Sequence, residues 1–400
     1  MPSQTSDSAD GDDLRTAAQQ ELDGLAADGL ARELRTLSAA GPRAESGGRE
    51  CIVLSSNDYL GLSTQPLVVS AAADAAGRYG AGAGASRLVT GNLPIHEELE
   101  AEIADLKGAE AAIVFSSGYA ANLGLIPALV SSGDVTVCDK LNHASIIDAC
   151  RLSGARLRAY RHVDMDRLEA ILRREAGARR LLVVTDGVFS MDGDVAPLPD
   201  LVTLAERCGA WVVVDDAHGT GVLGPTGGGA VERFGLDAGA LINMGTLSKA
   251  FGSQGGFVAG PAELIALLRN RARSFVYSTG LAPASAAAAL AAIRLARDEP
   301  EIRERLWRNV RLLRQMIAGT GLAPVSTDAH ITALVIGAVK DALAFADALL
   351  EAGVFAPAIR PPTVPRGTSR VRISVTAGHA REDVEGAAKA IRHAAEVVGS

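Results

Sequence analysis

The stretch Trp211-Val212-Val213-Val214-Asp215-Asp216-Ala217-His218-Gly219-Thr220-Gly221 decides the fold. Four apolar residues without alternation, running into turn residues, read as a strand covered on both faces, the condition of parallel strands beneath helices. The run then meets two carboxylates and a histidine. A carboxylate at the rim of an apolar core is costly unless a cation or hydrogen-bond donors meet it, so this strand end marks a site. Helix N-capping is the competing use for one of the two Asp residues.

The same form recurs at 241–244, followed by Gly245-Thr246-Leu247-Ser248-Lys249-Ala250-Phe251-Gly252-Ser253-Gln254-Gly255-Gly256. Further strand-like runs at 111–115, 135–138 and 181–185 alternate with helical patterns. That alternation predicts an α/β fold with a mainly parallel sheet and helices on both faces. Right-handed crossovers bring the C-terminal strand ends to one edge, where open sheets of this kind bind ligands. Lys249 at that edge is placed to form a Schiff base with a carbonyl. The partner that best suits Asp215 is a protonated heterocycle. Ser116-Ser117-Gly118-Tyr119 turns a strand into a helix and offers free N–H groups to an anion.

A chain of 400 residues, 48% hydrophobic, exceeds one compact core. Three segments are expected: a polar tail and a helix over 1–48, the helix ending at Gly41-Pro42; a large domain over 49–290; and a smaller C-terminal α+β domain over 291–400. A net charge of −8 and a pI near 5.5 offer no basic face to a nucleic acid, and Arg308, Arg311 and Arg314 read as a solvated helix face. Cys51, Cys138, Cys150 and Cys208 are scattered, which suits a reducing compartment. The first twenty residues have neither a cationic start nor an apolar segment, so the expected location is cytoplasmic. The Ala-rich stretch 281–296 is interrupted by Arg294 and reads as a packed helix, not a membrane span.

Three motifs fail on context. His96-Glu97-Glu98-Leu99-Glu100 lacks the second histidine of a zinc helix, and no Cys-x-x-Cys pair offers metal ligands, so no metal site is expected. Gly80-Ala81-Gly82-Ala83-Gly84-Ala85 follows a helical stretch, whereas a dinucleotide fingerprint follows a strand. Gly224 to Gly229 lacks the lysine of a nucleotide loop.

Thr-x-Ser-Lys after one strand, Asp-x-Ala-His ending another and the Ser117-Gly118-Tyr119 turn together resemble the α-oxoamine synthases. These are pyridoxal 5′-phosphate enzymes of the aspartate-aminotransferase fold type, and the resemblance runs from about Leu30 to the C-terminal helix. It implies a seven-stranded sheet and a homodimer with shared active sites. It also implies that Lys249 carries the cofactor and then serves as base, and that Asp215 faces the ring nitrogen. His143 would stack on the ring and contact substrate, and His218 would meet the ring's phenolic oxygen. Gly118, Tyr119, Ser190 and Thr246 complete the implied cofactor set, with Ser278 or Thr279 reaching the neighbouring subunit's phosphate.

On the substrate side the resemblance implies Asn57, His143, Thr363 and Arg372, with Arg32 or Arg35 at the far carboxylate of an acyl chain. Arg370 and Arg372 share one face of a strand. Family position selects Arg372 for the amino acid's carboxylate and leaves Arg370 as a surface ion-pair residue. The wording of Ser55-Ser56-Asn57-Asp58-Tyr59-Leu60-Gly61 and Ile359-Arg360-Pro361-Pro362-Thr363-Val364-Pro365 points to the branch that joins L-alanine to a pimeloyl group, carried by coenzyme A or by acyl carrier protein. Glycine- and serine-using sister enzymes are the alternative, and a nicotinamide-dependent oxidoreductase a remote one.

Overall fold

The computed structural model describes residues 13–399. The chain begins with α1 (Leu14–Ala27), the hairpin β1 (Arg43–Ser46) and β2 (Arg49–Val53), and helices α2 (Pro66–Tyr79) and α3 (Pro94–Lys107). Strands and helices then alternate: β3 (Ala111–Phe115), α4 (Gly118–Leu129), β4 (Val135–Asp139), α5 (Ala144–Leu152), β5 (Arg156–Tyr160), α6 (Met165–Glu175) and β6 (Leu181–Asp186). Next come α7 (Leu198–Arg207), β7 (Trp211–Asp215), α8 (Ala230–Arg233), β8 (Ile242–Thr246) and β9 (Gly256–Gly260). Helices α9 (Ala262–Arg271), α10 (Arg273–Val276), α11 (Pro283–Asp298) and α12 (Glu301–Ile317) follow. The C-terminal part holds β10 (Thr332–Gly337), α13 (Val339–Glu351), β11 (Val354–Phe355), β12 (Ala358–Ile359), β13 (Ser369–Ile373) and α14 (Arg381–Gly399).

Seven strands form one sheet in the order β3-β9-β8-β7-β6-β4-β5. Only β9 runs against its neighbours, so the sheet is mainly parallel, as the unbroken apolar runs imply. Helices return the chain between successive parallel strands, which places the ends of β6, β7 and β8 side by side on one edge. The Ala-rich α11 packs on α2 and α3, and among the described residues no helix is long and apolar enough to cross a membrane.

The N-terminal helix differs from expectation. It ends at Ala27, fourteen residues before Gly41, because Gly29 adopts φ 66° and turns the chain away. A hairpin then forms, and β2 pairs with both β1 and the distant β11. The start of the chain is therefore tied into the C-terminal part. Residues 1–12, the larger part of the expected polar tail, lie outside the described residues.

Arg314 departs from the solvated face assigned to it. Its guanidinium turns inward and donates to Thr332 Oγ1 at 3.1 Å and to the carbonyls of Ala329 and Ile331 at 2.7 and 2.9 Å. It thus gathers the loop before β10, since five fixed donors can serve several acceptors at once.

One charged clamp closes the rim beyond β4. His162 bridges Asp139 at 3.1 Å and Asp194 at 3.0 Å, and the next residue, Val163, is held at φ 55°. A β-branched residue rarely adopts that conformation; its N–H donates to Asp139 Oδ2 at 2.9 Å. Burial disfavours charge on the imidazole, but the two carboxylates outweigh it and raise the pKa to about 10. A pKa raised on folding adds stability below the unfolded value of about 6.5 and loses it as the pH climbs through the folded value. The melting-temperature gap between the wild type and His162→Gln should therefore be widest near pH 6 and should vanish towards pH 10. A gap that grows with pH would refute the clamp.

Candidate active site

Two carboxylates end adjacent strands. Asp215 closes β7 and Asp186 closes β6, and the two are partners in the parallel register. Asp215 Oδ2 accepts from Asn122 Nδ2 at 2.8 Å and its Oδ1 from the Ala217 N–H at 3.1 Å, donors that suit an anion. Asp186 Oδ2 accepts the His143 N–H at 2.8 Å. Burial, reinforced by the charge of Asp215, pushes the Asp186 carboxyl well above the usual carboxylate range.

Asp216 has a different task. It forms a buried ion pair with Lys107 at 2.8 Å and accepts the Ala230 N–H that opens α8. Gly229, at φ 103°, passes so close that a Cβ would overlap the Asp216 carboxylate. Of the Asp pair, the second thus organises the loop and the first faces the cleft.

Lys249 follows β8 and reaches the same cleft, lined also by Gly118, Tyr119, His143, Ser145, Asp186, Asp215, Ala217, His218, Met244 and Thr246. Burial lowers the Lys249 pKa; Asp215 and Asp186 oppose that, and Arg372 adds to it. The outcome is an amine that gives up its proton more readily than a surface lysine. Thr246 Oγ1 donates to the Gly255 carbonyl at 2.8 Å and accepts the Ser248 N–H at 3.2 Å, so this hydroxyl fixes the lysine loop.

The strand-to-helix turn expected at the end of β3 is present. Ser117 Oγ caps α4 by accepting the Ala120 N–H at 3.1 Å. Among the described residues the Gly118 and Tyr119 N–H groups donate to no protein acceptor. A Cβ at Gly118 would stand 3.2 Å from Met244 Cε, so glycine keeps the backbone open there. Free donors at a helix start, an amine and a paired carboxylate fit a phosphate, an aldehyde and a heterocyclic nitrogen respectively.

His143 caps α5, with Nδ1 2.7 Å from Ser145 Oγ. Its outer edge is open to the cleft while the rest of the ring is packed in protein, which lowers its pKa. His218 is pushed well below the ordinary value by burial first and then by the charges of Lys249 and Arg372. Tyr119 leans edge-on to His143 at 6.4 Å and donates to Asp148.

Arg372 is buried. Its Nε donates to the Ser190 carbonyl at 2.6 Å, Nη1 to Asn57 Oδ1 at 3.1 Å and Nη2 to Tyr59 Oη at 2.8 Å. Three of its five N–H groups are committed, and the remaining two suffice for one carboxylate. Arg370 is an ion-pair residue but not a surface one: it is 4% exposed and bonds Asp192.

An outer cavity of about 600 Å³ adjoins the cleft and shares His143 with it. Arg32, Ser190 and Thr363 line it together with Lys140. Ser190 thus faces this outer space, and only its carbonyl supports the inner site through Arg372. Arg32 Nη2 donates to Thr363 Oγ1 at 3.2 Å. Arg35 points elsewhere, 3.9 Å from Asp347. Ser278 bonds locally to the Thr279 carbonyl, and Thr279 bridges to Ser86, so neither enters the cleft of its own chain.

Sequence reasoning missed four residues that the fold brings here: Asp186, Asn122, Tyr59 and Lys140. Asp186 carried a legible signal, an apolar run ending on a carboxylate as in β7. Asn122, a polar residue buried in the apolar α4, was a weaker one.

The aminotransferase class I and II family model matches residues 49–391. The chain is 52% identical over 380 residues to the 8-amino-7-oxononanoate synthase of Methylobacterium nodulans, covering 94% of this chain and 96% of that one. It is 48% identical over 382 residues to that of Symbiobacterium thermophilum, covering 95% and 97%. Among solved structures, the serine palmitoyltransferase of S. paucimobilis with bound PLP superposes with a TM-score of 0.92 at 33% identity, covering 97% of this chain and 99% of that one. The 8-amino-7-oxononanoate synthase of Francisella tularensis does so with a TM-score of 0.74 at 29% identity, covering 87% and 98%. The strand-end carboxylate, the lysine loop and the helix cradle thus lie within a match spanning nearly the whole chain, which belongs to the aminotransferase class I and II family and, within it, to the 8-amino-7-oxononanoate synthases.

Proposed function

We propose that the protein condenses L-alanine with a pimeloyl thioester, releasing carbon dioxide and the free thiol carrier and forming 8-amino-7-oxononanoate. When bound, pyridoxal 5′-phosphate supplies an aldehyde that takes up an amine and a pyridinium ring that accepts an electron pair. The α4 N-terminus would hold the phosphate through the Gly118 and Tyr119 N–H groups, and Asp215 would keep the proton on the ring nitrogen. Lys249 Nζ, freed once the amino acid has replaced it, takes the proton from Cα of alanine and later returns one. Arg372 orients the alanine carboxylate with its two uncommitted N–H groups, beside Asn57. His143, at the junction of cleft and cavity, stands between the amino acid and the incoming acyl group.

The observation that favours a pimeloyl donor is the charge of the outer cavity. Among the described residues neither Arg32 nor Lys140 has a carboxylate partner, and the cavity's Asp192 is already paired with Arg370. Two uncompensated cations favour an acyl chain ending in a carboxylate, as pimeloyl does, over one ending in a methyl group, as palmitoyl does. The carrier is coenzyme A or acyl carrier protein. In the double variant Arg32→Met/Lys140→Met, KM for the pimeloyl thioester should rise about ten- to a hundredfold, the loss of one or two charge-assisted bonds. Its ω-methyl ester, which lacks that charge, should be unaffected. Equal sensitivity of the two donors would contradict the assignment.

A homodimer with shared sites fits this reading. Leu88, Val89 and Tyr277 are large apolar side chains exposed around the Ser86–Thr279 bridge, and Ser278 lies beside them. The four free cysteines, three of them buried, accord with a cytoplasmic setting.

A further inference from the structure

We propose that Tyr59 is a positioning residue whose hydroxyl proton is given to Nδ1 of His218, fixing the imidazole in the tautomer that donates from Nε2 into the cleft. The proposal rests on the role given to His218 and concerns a residue to which neither the motif nor the family resemblance assigns a task.

Tyr59 is fully buried, and its hydroxyl has one proton and three polar neighbours. These are Arg372 Nη2 at 2.8 Å, His218 Nδ1 at 2.7 Å and Asn57 Oδ1 at 3.1 Å. Arginine only donates, so Arg372 occupies a lone pair of Oη. Asn57 Oδ1 already accepts from Arg372 Nη1, which fixes that atom as the amide oxygen. The hydroxyl proton must therefore go to His218 or to Asn57. Hydroxyl hydrogen bonds cluster near 2.7–2.8 Å, which favours the histidine over an oxygen at 3.1 Å that is already engaged. A cationic donor on Oη also polarises the hydroxyl and strengthens its own donation.

The reverse arrangement is poorer. A proton on Nδ1 would make Oη accept from both the imidazole and the guanidinium, and would send the tyrosine proton along the longer path. No other group competes, because the nearby His330, edge-on to the Tyr59 ring at 4.0 Å, has no hydrogen-bond partner at either nitrogen. With Arg372 and Lys249 both nearby, His218 is neutral and has a single ring proton to place. Held on Nε2, that proton faces the cleft, where it can meet an oxyanion; held on Nδ1, it would leave a lone pair there instead.

The test is a long-range ¹H–¹⁵N spectrum of cofactor-free protein labelled in histidine, with the His218 signals identified by their loss in His218→Gln. In the wild type, Nδ1 should appear unprotonated and hydrogen-bonded and Nε2 protonated. Tyr59→Phe should move the Nδ1 signal towards that of a free imidazole nitrogen and weaken pyridoxal 5′-phosphate binding roughly tenfold, the worth of about one hydrogen bond. A wild-type His218 protonated at Nδ1 overturns the proposal without recourse to any variant, and so does an Nδ1 signal unmoved by Tyr59→Phe. If the variant does not fold, the wild-type spectrum decides. A failure to form product from alanine would bear on the substrate reading and leave these spectra unchanged.

Discussion

Lys249→Ala should lower turnover by about 10⁴-fold, the upper range for removing a general base, because in the proposed mechanism the same side chain is also the cofactor's covalent anchor. The lysine occupies a cleft where burial already works against its charge, and its ammonium makes no hydrogen bond among the described contacts. Its removal should therefore cost the cofactor-free fold little, and the melting temperature of that form should stay about level, since burial penalises the ammonium while Asp215 and Asp186 favour it. The cofactor's visible absorbance should disappear after dialysis in amine-free buffer. A band that survives unchanged in the variant would contradict the anchoring role.

Asp215→Asn should rank second. The substitution preserves shape but removes the charge proposed to hold a proton on the cofactor's ring nitrogen. It also puts an amide where Asn122 Nδ2 and the Ala217 N–H both donate, so one of those donors loses its acceptor. Breaking a buried charge pair costs about 3–5 kcal/mol, which corresponds to roughly 10²- to 10⁴-fold in rate. KM for alanine should change little, because the proposed clamp for its carboxylate is Arg372, which this substitution leaves in place. Steady-state kinetics with alanine and the exchange of its α-proton both report the loss; near-normal values for both would exclude Asp215 from this role.

The sheet was legible because its strands are buried on both faces and so lack polar interruptions. β3 was predicted to the residue, whereas β6 and β7 each extend one residue beyond the apolar run, onto the carboxylate. A residue that is polar yet last in its ladder has no periodicity to mark it, which is why the strand-like run at 181–185 stops one residue short of Asp186. The N-terminal segment was misread for a different cause. Its helix has no buried residue, so no apolar stripe marked where it should end, and the pairing of β2 with β11 spans some three hundred residues.

The cleft residues divide in the same way. Lys249, Asp215, His218 and the Gly118 turn sit at strand ends, where a local pattern points to them. Tyr59 and Lys140 matter only through distant partners: Tyr59 through Arg372, 313 positions away, and Lys140 through the cavity it shares with Arg32. No local spacing encodes such a meeting. Arg370 shows the reverse error, since two arginines on one strand face look alike until Asp192 is seen to take one of them.

In the proposed reaction this cleft joins an amino acid to an anionic acyl chain with loss of carbon dioxide. Incubation of the purified, cofactor-loaded protein with alanine, glycine or serine, each with pimeloyl, acetyl or palmitoyl thioester, followed by mass analysis of the product, tests it most directly. The account predicts 8-amino-7-oxononanoate, with one carbon dioxide released per thiol freed, from alanine with pimeloyl thioester. No amino ketone from that pair, or a long-chain product from serine and palmitoyl thioester alone, would contradict it.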